Sequence, residues 1–135
     1  MLEVIVTDLL LNAMPPEVIN AIDDRIYPAI LPERCKYPAI RHQSISNPAS
    51  ERTSAGNQHT TKRSRYQIDV FARSYLQAAE IAHAIGEQLD GYSATHDQTT
   101  IDLVSTDDIR PGYASASEKH HHIIELTLTW RHSHG

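Results

Sequence analysis

The hydrophobic pattern changes its period at Ser74, and this change constrains the fold more than any other feature of the sequence. Over residues 65–74 apolar and polar residues alternate, as in a strand with one buried face. The apolar positions of this stretch are Tyr66, Ile68, Val70 and Ala72. After Ser74 the apolar residues follow helical spacing, at Tyr75, Ala78, Ala82, Ile85 and Leu89. The sequence therefore predicts a strand that runs directly into a long helix, at about 74–90.

Both ends of this helix carry sequence signals. Ser74 and Gln77 form a capping box, in which the Ser74 hydroxyl accepts a hydrogen bond from the amide of Gln77. Gly91 follows the last apolar position and can take the left-handed conformation that ends many helices. We therefore expect a well-defined amphipathic helix whose apolar stripe packs on a sheet.

Further elements are predicted on both sides of this helix. An apolar stripe over residues 2–13 predicts an N-terminal helix that ends at Pro15 and Pro16, and residues 17–22 can form a short second turn. Strands are predicted at 37–45, 99–106 and 120–131, and in the second of these Ile101 and Leu103 lie on one side. Residues 24–32 are predicted as an edge strand or an extended connector, and residues 110–112 as a turn. This order indicates an α+β fold. We expect an antiparallel sheet of about four to five strands, with the long helix and the N-terminal helix packed on one face.

One polar segment interrupts the pattern. Residues 46–65 contain no Val, Ile, Leu, Met or aromatic residue over 20 positions, and carry four basic residues against Glu51 alone. Such a segment cannot bury itself, and a loop of this length is usually functional or disordered. A long solvated hairpin that extends the flanking strands is the alternative. We expect a single domain over 1–135, with a long polar basic loop or hairpin arm at about 46–65.

Length and composition limit the class of protein. A chain of 135 residues, 40% hydrophobic and 21% charged, can bury one core without disulfide or metal staples. Its one cysteine, Cys35, excludes an internal disulfide and a thiolate-rich zinc site, and we expect a buried thiol there. The longest run of large apolar residues is three leucines at 9–11. We therefore expect neither a membrane span nor a secretion leader.

No pattern typical of catalysis is found. The sequence has no Gly-x-Ser-x-Gly elbow and no glycine-rich phosphate loop, and the adjacent Asp107 and Asp108 are typical turn formers. The run His120, His121 and His122 puts two imidazoles on one side of a strand, but no HExxH motif or cysteine pair supplies the remaining zinc ligands. We expect no catalytic residue, no cofactor and no metal.

Two features indicate contact with other macromolecules. The basic side chains of residues 46–65 could neutralise phosphates, although the segment has no aromatic residue to stack on bases and the chain has a net charge of −5. A solvated loop or a protein-contacting arm fits the same pattern. Phe71 lies among polar residues on the outer side of its strand, as an aromatic residue in an interface does. The candidate contact residues are Arg52, Lys62, Arg63, Arg65, Phe71 and Arg73.

Several stretches together resemble the tail-completion proteins of tailed bacteriophages. They are DRIYP at 24–28, YPAI at 37–40, QIDVFARSY at 67–75 running into AAE at 78–80, and ELTLTW at 125–130. These stretches occur in the order of the family and span nearly the whole chain. The basic segment at 46–65 and the three consecutive histidines depart from the family pattern.

The resemblance implies a structural virion protein, without enzyme activity or cofactor, that assembles with its own copies into a ring, usually a hexamer. The ring ends the tail tube and joins it to the head connector, so the implied partners are other copies, the tube protein and the connector, with passing contact to DNA in the lumen and no membrane. The implied place is the head–tail junction of the virion, after synthesis in the host bacterial cytoplasm.

A ring needs two different surfaces that meet on neighbouring copies. The net charge is +1 over residues 1–67 and −6 over residues 68–135, and this asymmetry could supply the complementarity, with Phe71 as an anchor. A small metal- or nucleic-acid-binding module that uses the histidines or the basic segment is the alternative function.

Overall fold

The computed structural model describes residues 2–46, 51–52, 60–112 and 120–132. Its helices are α1 (Leu2–Asn12), α2 (Pro16–Ile22) and α3 (Tyr75–Leu89). Its strands are β1 (Ile26–Pro28), β2 (Ala39–Ser46), β3 (Glu51–Arg52), β4 (Thr60–Ala72), β5 (Ala94–His96), β6 (Thr99–Pro111) and β7 (His120–His132). The chain is therefore α+β. None of the helices in these ranges is long and apolar enough to cross a membrane.

The strands form one mixed sheet in the order β1-β2-β4-β7-β6-β5, and the two-residue β3 pairs with the start of β4. The pairs between neighbouring strands are antiparallel except β1 with β2, which is parallel. The prediction of four to five antiparallel strands is thus wrong in number and in one direction. The additional strands β3 and β5 have two and three residues, too few to show a hydrophobic alternation.

The core lies between the helices and one face of this sheet. Even-numbered residues of β4 and β7 point into it, among them Tyr66, Ile68, Leu126 and Leu128. The helix α3 buries Ala78, Ile81, Ala82, Ile85, Gly86 and Leu89. Tyr75, predicted in the buried stripe, is 53% exposed, and its ring lies edge-on to His120 and His122 of β7. The Ser74 hydroxyl accepts from the Gln77 amide at 3.1 Å, as predicted, and Gly91 has a positive φ of 78°.

The helix α1 lies between the two edges of the sheet. It buries Leu2, Ile5, Val6, Leu9 and Leu10, the stripe that the sequence predicts. It packs on β1 and β2 at one edge. At the other edge, Asp8 of α1 lies 3.8 Å from His96 of β5. The sheet therefore curls, and α1 spans the gap between its first and last strands.

The strand β6 differs from its prediction in its length and in which of its side chains are buried. It continues to Pro111, so that Arg110 and Pro111 pair with Ile123 and His122 and do not form the predicted turn. A bulge after Ile101 shifts the alternation, so Val104 is buried and Leu103 is exposed.

Cys35 is only partly buried, in the connection before β2, so the expectation of a buried thiol is wrong.

Part of the polar 46–65 segment is strand. β4 begins at Thr60, and residues 61–65 pair with β7, whose backbone supplies the hydrogen bonds without any need for apolar side chains. β3 pairs with Thr60 and Thr61. Residues 47–50 and 53–59, where the predicted loop or arm also falls, lie outside the described residues.

Candidate functional site

The face of the sheet opposite the helices, here called the open face, carries the candidate site. Along β4 and β7 the odd-numbered side chains point to it, because successive residues of a strand alternate between the two faces. Within the described ranges, the helices all belong to the core on the other face. The open face includes Arg41 of β2, Arg63, Arg65, Gln67, Asp69 and Phe71 of β4, His121, Ile123, Glu125 and Thr127 of β7, and Asp108 and Arg110 of β6.

Asp69 is fully buried although it lies on the open face. Its Oδ1 is 2.7 Å from Nε2 of His121 and accepts a hydrogen bond from Nε2 of Gln67 at 2.8 Å. Its Oδ2 accepts from Nε and Nη2 of Arg41 at 3.1 and 3.0 Å. Burial alone would raise the pKa of Asp69, but the hydrogen bonds from His121 and Gln67 and the charge of Arg41 together lower it. Asp69 is therefore a carboxylate whose partners cover it completely.

The imidazole that reaches this carboxylate stacks on a second ring. Phe71 and His121 stack with centroids 4.4 Å apart and planes 12° from parallel. The Arg41 guanidinium lies 5.3 Å from the centre of the Phe71 ring, a cation–π distance. A Cβ at Gly112 would lie 2.4 Å from Nδ1 of His121, so the imidazole fills the space beside that glycine. Arg41, Gln67, Asp69, Phe71 and His121 thus form one ordered group, here called the Asp69 cluster.

A second charged group lies beside the Asp69 cluster. Arg110 donates to Glu125 at 3.0 Å and to Asp108 at 2.9 Å. Asp107 accepts a hydrogen bond from the Thr127 hydroxyl. Asp107 and Asp108 are therefore strand residues that hold partners on β6 and β7, and their prediction as turn formers is wrong.

The six candidate contact residues do not form one cluster. Phe71, Arg63 and Arg65 share the open face, but Arg65 is six residues from Phe71 along β4, about 20 Å. Lys62 points to the other face, where its Nζ lies 4.9 Å from the centre of the Trp130 ring. Arg73 is exposed just after β4. Arg52 lies in β3 and pairs with Thr60 through its backbone.

No pattern in the sequence singles out Arg41, and His121 stands out only as the middle of three consecutive histidines. In the sequence, Asp69 is one of the polar residues near Phe71. Its position between Ile68 and Val70 is compatible with either a solvated or a buried carboxylate. Cross-strand register decides between these, because it places Arg41 directly opposite Asp69 on one side and His121 opposite Phe71 on the other.

The three consecutive histidines have three different environments. His120 is exposed, His121 belongs to the Asp69 cluster, and His122 is buried with no hydrogen-bond partner for its Nδ1. Burial, and then the charges of His83, His121 and His120, lower the pKa of His122. In the ranges that the structure describes, no three His, Cys, Asp or Glu side chains are placed to hold a metal ion.

A buried polar network lies on the helix side of the sheet. Nδ1 of His42 is 2.6 Å from the Tyr66 hydroxyl, and Nε2 of His42 is 2.9 Å from the Thr7 hydroxyl. Burial lowers the pKa of His42 to about 4, against a smaller opposing effect of the Glu3 carboxylate. Burial also raises the pKa of Tyr66. This network joins α1 to β2 and β4, so its role is structural.

The open face carries aromatic and arginine side chains, which are enriched in protein–protein interfaces. The family model described as "Tail completion protein gp17" matches residues 10–132. The chain therefore belongs to the tail completion protein gp17 family and is a structural protein of a phage virion. The resemblance to phage tail-completion proteins is confirmed.

A solved structure shares the fold at low sequence identity. Its description is "Virion of native gene transfer agent (GTA) particle", with a TM-score of 0.67 and 11% identity. The similarity covers 93% of this chain and 91% of the other. Comparison with curated proteins gives no match.

Proposed function

We propose that this protein is the subunit of a ring, a hexamer, that ends the phage tail tube and joins it to the head connector. The observation that carries the proposal is the match to the tail completion family over residues 10–132, nearly the whole chain. The virion description of the protein with the same fold supports a place inside an assembled particle. The partners are other copies of this chain, the tail tube protein and the connector.

The surface of the chain suits this role. A ring subunit has to present unlike patches to its two neighbours and further patches above and below. The Asp69 cluster presents an aromatic ring and an arginine, residue types that are enriched in protein interfaces, and the buried carboxylate holds this arginine in place. Arg63 and Arg65 extend this face as exposed cations, which can meet an acidic protein surface or DNA in the lumen.

In this role the protein needs no catalytic group and no cofactor. A joining ring acts by binding its neighbours. The contact residues are those of the open face together with Arg52, Lys62 and Arg73. The protein functions at the head–tail junction of the virion.

The test is assembly in the absence and presence of the protein. Particles made without it should have tubes that grow past the normal length and heads that stay separate from tails. Purified protein added to such an extract should restore joined particles, and electron microscopy should show a ring between tube and connector. Tails of normal length joined to heads without the protein would overturn the proposal.

A further inference from the structure

A groove opens between α1 and the turn that joins β5 to β6. Its volume is about 520 Å³, within the range of cavities that hold a ligand or a side chain. Val4 and Ile5 give it an apolar wall, and Val4 is 67% exposed. Asp8 and Asp97 give it two carboxylates, and His132, the last residue of β7, lies at its side. The groove therefore combines an apolar surface with two carboxylates, of which Asp8 also lies 3.8 Å from His96 of β5.

Two exposed side chains of matching chemistry, Arg73 and Leu76, lie where β4 passes into α3 and are here called the protrusion. Leu76, in the first turn of α3, is 65% exposed, and Arg73 is exposed just before the helix. The ring of Tyr75 lies edge-on to His120 and His122, with centroid distances of 6.4 and 4.9 Å. This contact fixes the start of α3 against β7, so the protrusion is held in place and presents an apolar side chain beside a cation.

The groove and the protrusion lie at opposite ends of one strand. Tyr75 contacts His120, the first residue of β7, whereas the groove is lined by His132, the last. A strand of 13 residues spans about 40 Å at 3.3 Å per residue. One copy of the chain therefore cannot place its protrusion in its own groove, but two copies arranged head to tail can.

We propose that the groove receives Leu76 and Arg73 of a second copy of this chain. Leu76 packs on Val4 and Ile5, and the guanidinium of Arg73 lies against Asp8 and Asp97. Groove and protrusion are unlike surfaces of one protomer, so the contact is heterologous and can repeat from copy to copy until a ring closes. The inference rests on the proposed ring and names the surfaces that form it.

Disulfide trapping tests the contact directly. Val4→Cys and Leu76→Cys are introduced together with Cys35→Ser, which removes the one natural thiol. Mild oxidation of the assembled protein should give a ladder of covalent dimers and higher oligomers, because the two sites of one copy are too far apart to react with each other. The matched control replaces Val4→Cys by Ile30→Cys, at a side chain that is more exposed, 76%, but outside the groove. The control should give at least tenfold less of the ladder.

The same samples are viewed by electron microscopy, which separates the two proposals. Rings with the ladder confined to the Val4 and Leu76 pair support the inference. Rings without that ladder, or with as much ladder in the control, overturn the inference and leave the proposed function intact. Absence of rings both in isolation and in assembled particles overturns the proposed function and the inference with it.

A charge exchange gives a second, independent readout. Arg73→Glu and Asp8→Arg should each weaken self-association by about tenfold in sedimentation or light scattering, since each puts like charges together across the contact. Both residues are exposed, so the fold should be retained. The double variant restores an opposite pair and should recover most of the association. A double variant whose self-association is weakened by the product of the two single effects, about a hundredfold, would overturn the pairing.

Discussion

His121 and Phe71 face each other across β7 and β4, with their rings stacked at 4.4 Å. The register of the two strands makes them direct partners, and Nε2 of the same imidazole reaches Asp69. The stack and the contact with the carboxylate therefore share one side chain. This arrangement keeps a carboxylate fully buried on a face that no described element covers, and it does so before any partner binds. A partner of this face meets an ordered patch, which lowers the entropic cost of binding.

Replacement of the buried carboxylate tests how far the cluster supports the fold. Asp69→Asn keeps the shape but removes the charge that accepts hydrogen bonds from Arg41, Gln67 and His121. We expect the free energy of unfolding to fall by about 2 kcal/mol, the scale of hydrogen bonds to a charged group. Urea unfolding followed by far-ultraviolet circular dichroism measures this change.

Asp108→Asn is the matched control for this substitution. Asp108 is an exposed carboxylate on the same sheet and pairs with Arg110 at 2.9 Å. Exposed pairs contribute little, so the change should stay within about 0.5 kcal/mol. Equal effects of the two variants would show that burial of Asp69 does not matter for stability.

The buried imidazole of His42 predicts a loss of stability in mild acid. Burial lowers its pKa from 6.5 to about 4, so between these values the unfolded chain binds a proton that the folded chain does not. The contribution is complete above pH 6.5 and is lost as the pH falls towards 4, with a total of about 3 kcal/mol. The pKa of His122 is also lowered, which adds a loss in the same direction. Urea unfolding at pH 7 and pH 5 measures the difference.

His42→Gln removes the titrating group, and His120→Gln, at an exposed position, is its control. The His42 variant should be less stable at pH 7, because the contacts with Tyr66 and Thr7 change, but its stability should depend less on pH between 7 and 5. The His120 variant should follow the unchanged protein at both values. An unaltered pH dependence in His42→Gln would assign the acid sensitivity to other groups.

Much of the fold could be predicted because its signals are local. The alternation up to Ala72, the cap at Ser74 and the stripes of α1 and α3 act within a few residues, and the structure has these elements where they were expected. The bulge after Ile101 and the parallel pairing of β1 depend on contacts between distant segments, which no local pattern contains.

The candidate site likewise has one part that local sequence patterns predict and another that they do not. Phe71 could be recognised because an aromatic residue stands on the polar side of an alternating strand. Its partners could not, since Arg41 and His121 are 30 and 50 residues away in the sequence and meet it only through strand register. Lys62 shows the opposite error. The sequence places it in one basic group with Arg63 and Arg65, but the period of two puts its side chain on the other face, where it lies over Trp130.

Gly112 limits what the cluster tolerates. An added Cβ would lie 2.4 Å from the ring of His121, and that ring is held by Asp69 and Phe71, so it cannot move without breaking the stack. Gly112→Ala should therefore destabilise the protein by about 1 to 3 kcal/mol. Gly86→Ala is the comparison, because its Cβ would meet the flexible end of Ile109 and alanine favours the helix. The midpoint temperature of thermal unfolding should be well below that of Gly86→Ala in the Gly112→Ala variant. The reverse order would show that His121 is free to move.

The basic residues of the 46–65 segment should contribute to assembly of the virion and little to the stability of the fold. Arg63 and Arg65 are exposed on the open face, and neither forms an ion pair within the described part of the chain. Arg63→Ala with Arg65→Ala should leave the free energy of unfolding within about 0.5 kcal/mol per substitution, yet reduce the fraction of tails joined to heads.

Adding Arg52→Ala and Lys62→Ala should complete the loss of joining, with about 1 kcal/mol of destabilisation from the lost contact between Lys62 and Trp130. Lys62→Ala alone measures that loss of stability separately, because it removes the contact with Trp130 while both arginines remain. Normal joining by the Arg63 and Arg65 double variant would exclude these two residues from the contact with the tube or the connector.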